Sequence, residues 1–227
     1  MFALVACPGC FAAAPELDGD DSGESSAASP DVIGPLVPAA DRDDGAIFPG
    51  PMGREWFPSG EDMMGCQYAG EGPLQAQLYY AYLRFALPQA LPADAQIDAV
   101  VLTLYGHTTF MWNATDALRV WIEDSRDARE VTGVADYPGE LVGLADVSVR
   151  WPDDGGLAWR HPGENASSNL APLVQHLVDT NDGLAANAHV QLWVAADAPD
   201  GVGTEVAWLD SIAGLDTAPT LTITLAP

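Results

Sequence analysis

The sequence predicts an all-β protein, an antiparallel β-sandwich of jelly-roll type with one short helix. Three observations lead there. Apolar residues alternate with period two in segment after segment. The 22 Gly and 18 Pro are spread along the chain without a fixed period, so they punctuate many turns. Helical spacing occurs in one short stretch only. At 227 residues, 48% of them hydrophobic, the chain has material for a sizeable core.

The N-terminal segment reads as an address. Leu4-Val5-Ala6-Cys7 has the pattern of a bacterial lipobox, in which a cysteine behind an apolar and a small residue is acylated. An export signal needs a basic region and roughly 7–15 apolar residues. Too few residues precede Cys7 for that, so this reading expects an apolar segment encoded upstream of Met1. Glu16, Asp18, Asp20, Asp21, Glu24 and Asp31 follow among Gly, Ser, Ala and Pro, which reads as a flexible acidic tether over residues 1–34. The expectation is an exported lipoprotein of the cell envelope or cell surface, or a secreted one, touching a membrane only through lipid on Cys7. Cys7, Cys10 and Cys66 are too few and too uneven for a disulfide framework, and a lone C-x-x-C outside a βαβ unit is neither a zinc nor a thioredoxin-like motif.

The sandwich domain is expected over residues 35–227. Ala81, Leu83, Phe85 and Leu87 alternate with Tyr82, Arg84 and Ala86, so Phe85 points inward and Tyr82 outward. After a turn at Pro88 to Asp94, Val100, Leu102 and Leu104 alternate with Val101, Thr103 and Tyr105. Leu118, Val120 and Ile122 alternate with Arg119 and Trp121. Farther on, Val190, Leu192 and Val194 alternate with Gln191 and Trp193, and Leu221, Ile223 and Leu225 with Thr222 and Thr224. Further strands are expected at Val147 to Trp151 and Glu205 to Leu209. Leu170, Leu173, Val174 and Leu177 fall at i, i+3, i+4 and i+7, the stripe of a short amphipathic helix.

Tyr82-Leu83-Arg84-Phe85-Ala86-Leu87, then Leu91-Pro92, then Ile97-Asp98-Ala99-Val100-Val101-Leu102-Thr103-Leu104-Tyr105 resembles the opening of DNRLRE domains, which are related to disaggregatase-type β-sandwich modules. The closing Pro219-x-Leu221-x-Ile223 is also similar. Ala86 stands where the family has an acidic residue, Val100 where it has Ala, and Arg129 to Asp146 has no counterpart. The resemblance covers roughly Pro35 to Leu225 and implies a carbohydrate-binding or cell-surface module.

The local motifs of catalysis are missing: no G-x-S-x-G, H-E-x-x-H, P-loop or G-x-G-x-x-G. His107, His161, His176 and His189 are far apart, and the last two read as surface residues. Glu123 with Asp124, or Asp153 with Asp154, could flank a glycosidic bond, but 33 acidic residues produce such pairs by chance. No catalytic residue is assigned.

The charge of −25, with eight Arg and no Lys, repels phosphate backbones and anionic headgroups, which argues against nucleic-acid partners and electrostatic membrane docking. It also favours neutral polysaccharide over acidic polymers. A structural calcium is the expected inorganic ligand: Asp41, Asp43 and Asp44 stand before Gly45, near the expected return of the chain at Asp210. The same carboxylates would also suit a solvated turn.

Among the seven Trp, Trp56, Trp112, Trp151 and Trp159 fall in or beside expected loops, and Trp121 and Trp193 at outward strand positions. Flat indoles either stack on pyranose rings or cover a sheet. Trp112, Trp121, Trp151, Trp159 and Trp193 are the glycan-binding candidates. The functional expectation is a non-catalytic surface module binding glycan or envelope material, with two alternatives: a small carbohydrate-active hydrolase or lyase on the same sandwich, or a purely structural surface protein.

Overall fold

A computed structural model of the chain describes residues 31–40, 42–50, 53–58, 67–68, 77–78, 80–106, 117–139, 142–154, 160, 163–197 and 218–227. Its strands are β1 (Val32–Leu36), β2 (Asp44–Gly50), β3 (Gly53–Pro58), β4 (Gln67–Tyr68), β5 (Gln77–Leu78), β6 (Tyr80–Ala86), β7 (Ile97–Gly106), β8 (Leu118–Glu123), β9 (Leu144–Trp151), β10 (Gly163–Ala166), β11 (His189–Ala196) and β12 (Thr220–Leu225). The one α-helix among the described residues, α1, spans Ala171–Asn181. The strands form a four-stranded sheet in the order β1-β12-β7-β10, a six-stranded sheet in the order β3-β2-β6-β11-β8-β9, and the small ribbon β4-β5, with every pairing between these strands antiparallel. The β-sandwich expected from the alternation is the observed architecture.

Sheet membership begins earlier than the expected domain boundary. Val32 and Ile33 pair with Thr224 and Ile223, so the last residues assigned to the tether belong to β1. The reason is a buried anchor: Ile33 and Leu36 join the core between the sheets.

That core is aliphatic. Leu83 and Phe85 of β6, Val120 and Ile122 of β8, and Val190, Leu192 and Val194 of β11 face Val100, Leu102 and Leu104 of β7 with Leu221 and Ile223 of β12. Period-two alternation places these side chains on one face of each strand, and burial of a Leu- or Phe-sized group stabilises by about 1.5–3 kcal/mol. The α1 stripe, Leu170, Leu173, Val174, Leu177 and Val178, completes the cluster, and α1 packs against β7 and β9, one strand from each sheet. Pro172 sits in its first turn, and Asp182 in left-handed conformation ends it. Gln175 ties the helix to the loop before β7 by accepting from the Ile97 amide (2.8 Å) and donating to the Ala95 carbonyl (3.1 Å). Among the described residues no helix is long and apolar enough to cross a membrane. The strand expected at Glu205 to Leu209 lies outside the described residues.

The far face of the six-stranded sheet departs from expectation. Tyr82 and Trp193, on the outward side of β6 and β11, are both 0% exposed. A second cluster covers them: Ile47, Tyr80, Val131, Val142 and Ala195, with Trp56, Trp121, Tyr137 and Leu144 packed around it. Val131, Tyr137 and Val142 come from the connection between β8 and β9, whose described residues 124–139 and 142–143 fold back over the sheet as a strap.

Candidate functional site

The outer face of the six-stranded sheet is where polar, titratable and aromatic side chains converge, and strand register explains why. Trp193 stands opposite Tyr82 on one side and Trp121 on the other, while Tyr80 lies opposite Ile47, itself opposite Trp56. An aromatic stripe therefore crosses the sheet from β3 to β8. Tyr80 makes edge contacts with Trp121 (5.7 Å between centroids), Tyr137 (5.2 Å) and Trp193 (6.3 Å), and Tyr82 tilts against Trp193 at 5.5 Å. Gly45 makes room for it, since a Cβ there would collide with the Phe57 carbonyl and the Tyr82 ring. The Trp56 indole N–H donates to the Tyr82 hydroxyl (3.1 Å). Burial pushes the phenol pKa of both Tyr80 and Tyr82 up to about 12. Trp56, Trp121 and Tyr137, at the margins, keep part of their surface in solvent.

One residue pair along the strands the face turns polar. Gln191 lies opposite Arg84 on β11 and β6, and Glu123 ends β8 beside them. The Gln191 amide Nε2 donates to Glu123 Oε2 (2.9 Å). Gln191 Oε1 and Trp193 Nε1 are buried without a hydrogen-bond partner among the described residues, although the indole lies close enough to the Glu123 carboxyl to favour its charged form. Desolvation dominates at Glu123 and raises its pKa to about 7, against the opposing pull of Trp193, Arg129 and Arg84.

The strap is fastened at several points. Arg84 donates to Asp43 Oδ1 (2.6 Å) and to the strap carbonyl of Ala128 (2.9 Å), whose own amide donates to the His189 carbonyl (3.0 Å). Arg129 pairs with Asp136 (2.7 Å), and the Thr132 amide and hydroxyl both donate to the other Asp136 oxygen (2.7 and 3.0 Å). Arg54 of β3 lies 3.9 Å over the Tyr137 ring.

The expected site residues distribute unevenly over this face. Trp121 belongs to the stripe and is half-buried. Trp193 lies in its middle, enclosed, so it offers no open ring to a sugar. Trp151 is also corrected: it shares the parity of Ala145, Val147 and Val149 on β9 and is 3% exposed in the core between the sheets. Trp112, Trp159 and Cys7 lie outside the described residues. Trp56, expected in or beside a loop, sits on β3 and ends the stripe.

Asp43 acts in a turn and an ion pair: its Oδ1 accepts from Arg84 and its Oδ2 from the Ala40 amide (3.0 Å). A guanidinium in contact is poor company for a calcium ion. Asp44 is buried at the start of β2, and Asp41 and Asp210 lie outside the described residues. Among the described residues no group of three or more His, Cys, Asp and Glu could hold a metal ion.

The carboxyls of Glu123 and Asp124 do not converge. Glu123 faces the strap, whereas Asp124 faces His176 of α1 at 3.7 Å. His189, expected at the surface, is partly buried and pairs through Nδ1 with Asp127 Oδ1 (2.9 Å). His107 and His161 lie outside the described residues. The Gln191, Glu123 and Trp193 cluster was not foreseen as a site; its signal was a Gln and a Glu at outward strand positions that a covering segment could bury.

Compared with known proteins, the chain matches no protein-family model and no curated protein. The chemistry of the face itself therefore carries the functional reading.

Proposed function

We propose that the chain is a non-catalytic, exported surface module that binds glycan or envelope material, held at the cell surface by lipid on Cys7. The observation that carries the reading is the aromatic stripe, whose half-buried margins are fixed before any ligand arrives, Trp121 by its edge contact with Tyr80 and Trp56 by its hydrogen bond to Tyr82. Rigid indoles lose little entropy on stacking against a sugar ring. The resemblance to DNRLRE modules and the acidic N-terminal segment support the same reading. With few cations on its surface, the module is suited to neutral polysaccharide.

A hydrolytic reading draws on Glu123, a carboxyl poised near neutrality as a general acid must be. Against it, Asp136 is committed to Arg129 and Thr132, and Asp124 turns away to α1. Glu123 therefore lacks a convergent second carboxyl among the described residues.

A glycan array with wild type, Trp121→Ala and Trp56→Ala, each run with and without calcium, tests the binding reading. Expected is binding of neutral polysaccharide that weakens at least tenfold in one of the two folded variants. No binding by wild type, or binding unchanged in both variants, overturns it.

A further inference from the structure

We propose that the root of the strap is a proton-controlled latch, in which Glu123, buried against Gln191 and Trp193, holds the strap on the sheet while its proton is bound and loosens it from the aromatic face as the proton leaves.

The strap departs from β8 directly after Glu123, which closes that strand. Glu123 is 6% exposed. The groups around it are Gln191 and Trp193 of β11, Arg129 and Asp136 of the strap, and Arg84 of β6. Both guanidiniums are engaged elsewhere, Arg129 by Asp136 and Arg84 by Asp43, so neither is a dedicated counter-ion for Glu123. An ionised Glu123 would be a buried anion with one neutral hydrogen-bond donor, an arrangement that strongly disfavours the charge.

The unpartnered atoms around it point the same way. A protonated carboxyl has an O–H to donate and a carbonyl oxygen that accepts, the complement of a primary amide. With Gln191 Nε2 already donating to Glu123 Oε2, a proton on Glu123 Oε1 supplies the donor that Gln191 Oε1 lacks, closing a reciprocal acid–amide pair. The remaining lone pair on Oε2 is left for the Trp193 N–H. Buried, unmatched polar atoms are costly, and one proton resolves the set.

Two contacts on neighbouring residues are structural: His176 of α1 lies 3.7 Å from Asp124, and His189 of β11 lies 2.9 Å from Asp127. Partial desolvation at Asp127 acts upward on its pKa, but hydrogen bonds from the His189 ring and amide outweigh it and hold the carboxyl below its usual range.

The sign of the pH dependence follows. In the closed strap Glu123 titrates at about 7, and in the open, solvated strap at its ordinary value near 4.5. Below the ordinary value the proton is bound in both states and the Glu123 contribution to closure is at full strength, whereas Asp127, whose carboxyl is held low, favours closure only above its own range. The Glu123 contribution weakens as pH rises from its ordinary value through about 7, where the closed form too gives up its proton. The shift corresponds to an opening equilibrium larger by on the order of a hundredfold. The latch does not depend on what the face binds.

Hydrogen exchange of strap amides in residues 128–139, corrected for intrinsic rates, reads the opening from pH 5.5 to 8.5. Wild type is expected to open about thirtyfold more at the alkaline end, since part of the full shift lies below pH 5.5. Glu123→Gln, whose amide can pair with Gln191 but cannot ionise, is expected to lose most of that rise. A flat wild-type profile, or an equal rise in the variant, overturns the latch. Because the variant could fail to fold, the Glu123 side-chain carboxyl of wild type is also followed by carbon NMR. A midpoint near 7 supports the latch, and one below 5 overturns it.

Discussion

Both faces of the six-stranded sheet carry buried side chains, yet they are built from different chemistry. On the inner face β6, β11 and β8 present Leu, Val, Ile and Phe to the opposing sheet, and tight aliphatic packing holds the layers together. On the outer face the same strands present Tyr82, Trp193, Trp121, Arg84, Gln191 and Glu123 to a single covering segment. The inner face needs no hydrogen bonds between side chains. The outer face depends on them, and two of its polar atoms are unmatched. The difference teaches where response can reside: an aliphatic layer is insensitive to protons and charge, whereas a buried polar layer transmits both to the segment above it.

The comparison breaks most directly at Phe85 and Tyr82, neighbours on β6 that face opposite ways. Phe85→Ala should cost roughly 3–5 kcal/mol through the cavity it leaves between the sheets. An outward residue in an uncovered sheet would cost far less. Tyr82 is instead enclosed by Trp193 and bonded to Trp56, so Tyr82→Ala should cost a comparable amount in denaturant melts. A loss under about 1 kcal/mol, the usual range for surface substitutions, would mean that the outer layer is not packed in solution.

Arg84 sharpens the same contrast. Its guanidinium joins Asp43 to the strap carbonyl of Ala128, and the pair is mostly shielded, with side-chain exposures of 15% and 6%. Arg84→Ala leaves the Asp43 carboxylate buried without its cation, at a cost of roughly 3 kcal/mol. Changing Asp43 to Asn in the same background should recover part of the loss, because it removes the stranded charge. Thermal melts of the single and double variants measure this, and no recovery would show that Arg84 acts by packing alone.

Alternation made the inner face legible in the sequence. Leu83 and Phe85, Val120 and Ile122, and Leu192 and Val194 each lie two apart, and the α1 stripe announced itself by spacing. The outer face was half legible. Tyr82, Trp121 and Trp193 could be assigned to it, but whether it met water depended on Arg129 to Asp146, a stretch with neither strand nor helix periodicity. The apolar residues that cover the sheet, Val131, Tyr137 and Val142, follow no helix or strand period. They form one face only when the chain passes through the short 3-10 turn at Val134–Asp136 and the left-handed Gly139 and lies on the sheet. Trp151 was misplaced for a simpler reason, since a strand end beside Pro152 and two aspartates looks like a loop. The burial of Glu123 follows from the strap and could not be read before it.

The smallest expected effect concerns Arg42 and Glu130, which link the turn before β2 to the strap at 3.3 Å with side chains 60% and 45% exposed. Solvent screens an exposed pair, and ordering two long side chains offsets much of the attraction. A double-mutant cycle with Arg42→Ala and Glu130→Ala should give a coupling of about 0.5 kcal/mol or less, shrinking further in added salt. The same cycle on Arg84 and Asp43 should give a coupling several times larger and resistant to salt, because water is largely excluded there. Equal couplings at the two sites would mean that the strap is held by its exposed rim. They would also remove the reason for expecting a buried carboxyl beneath it to sense protons differently from one at the surface.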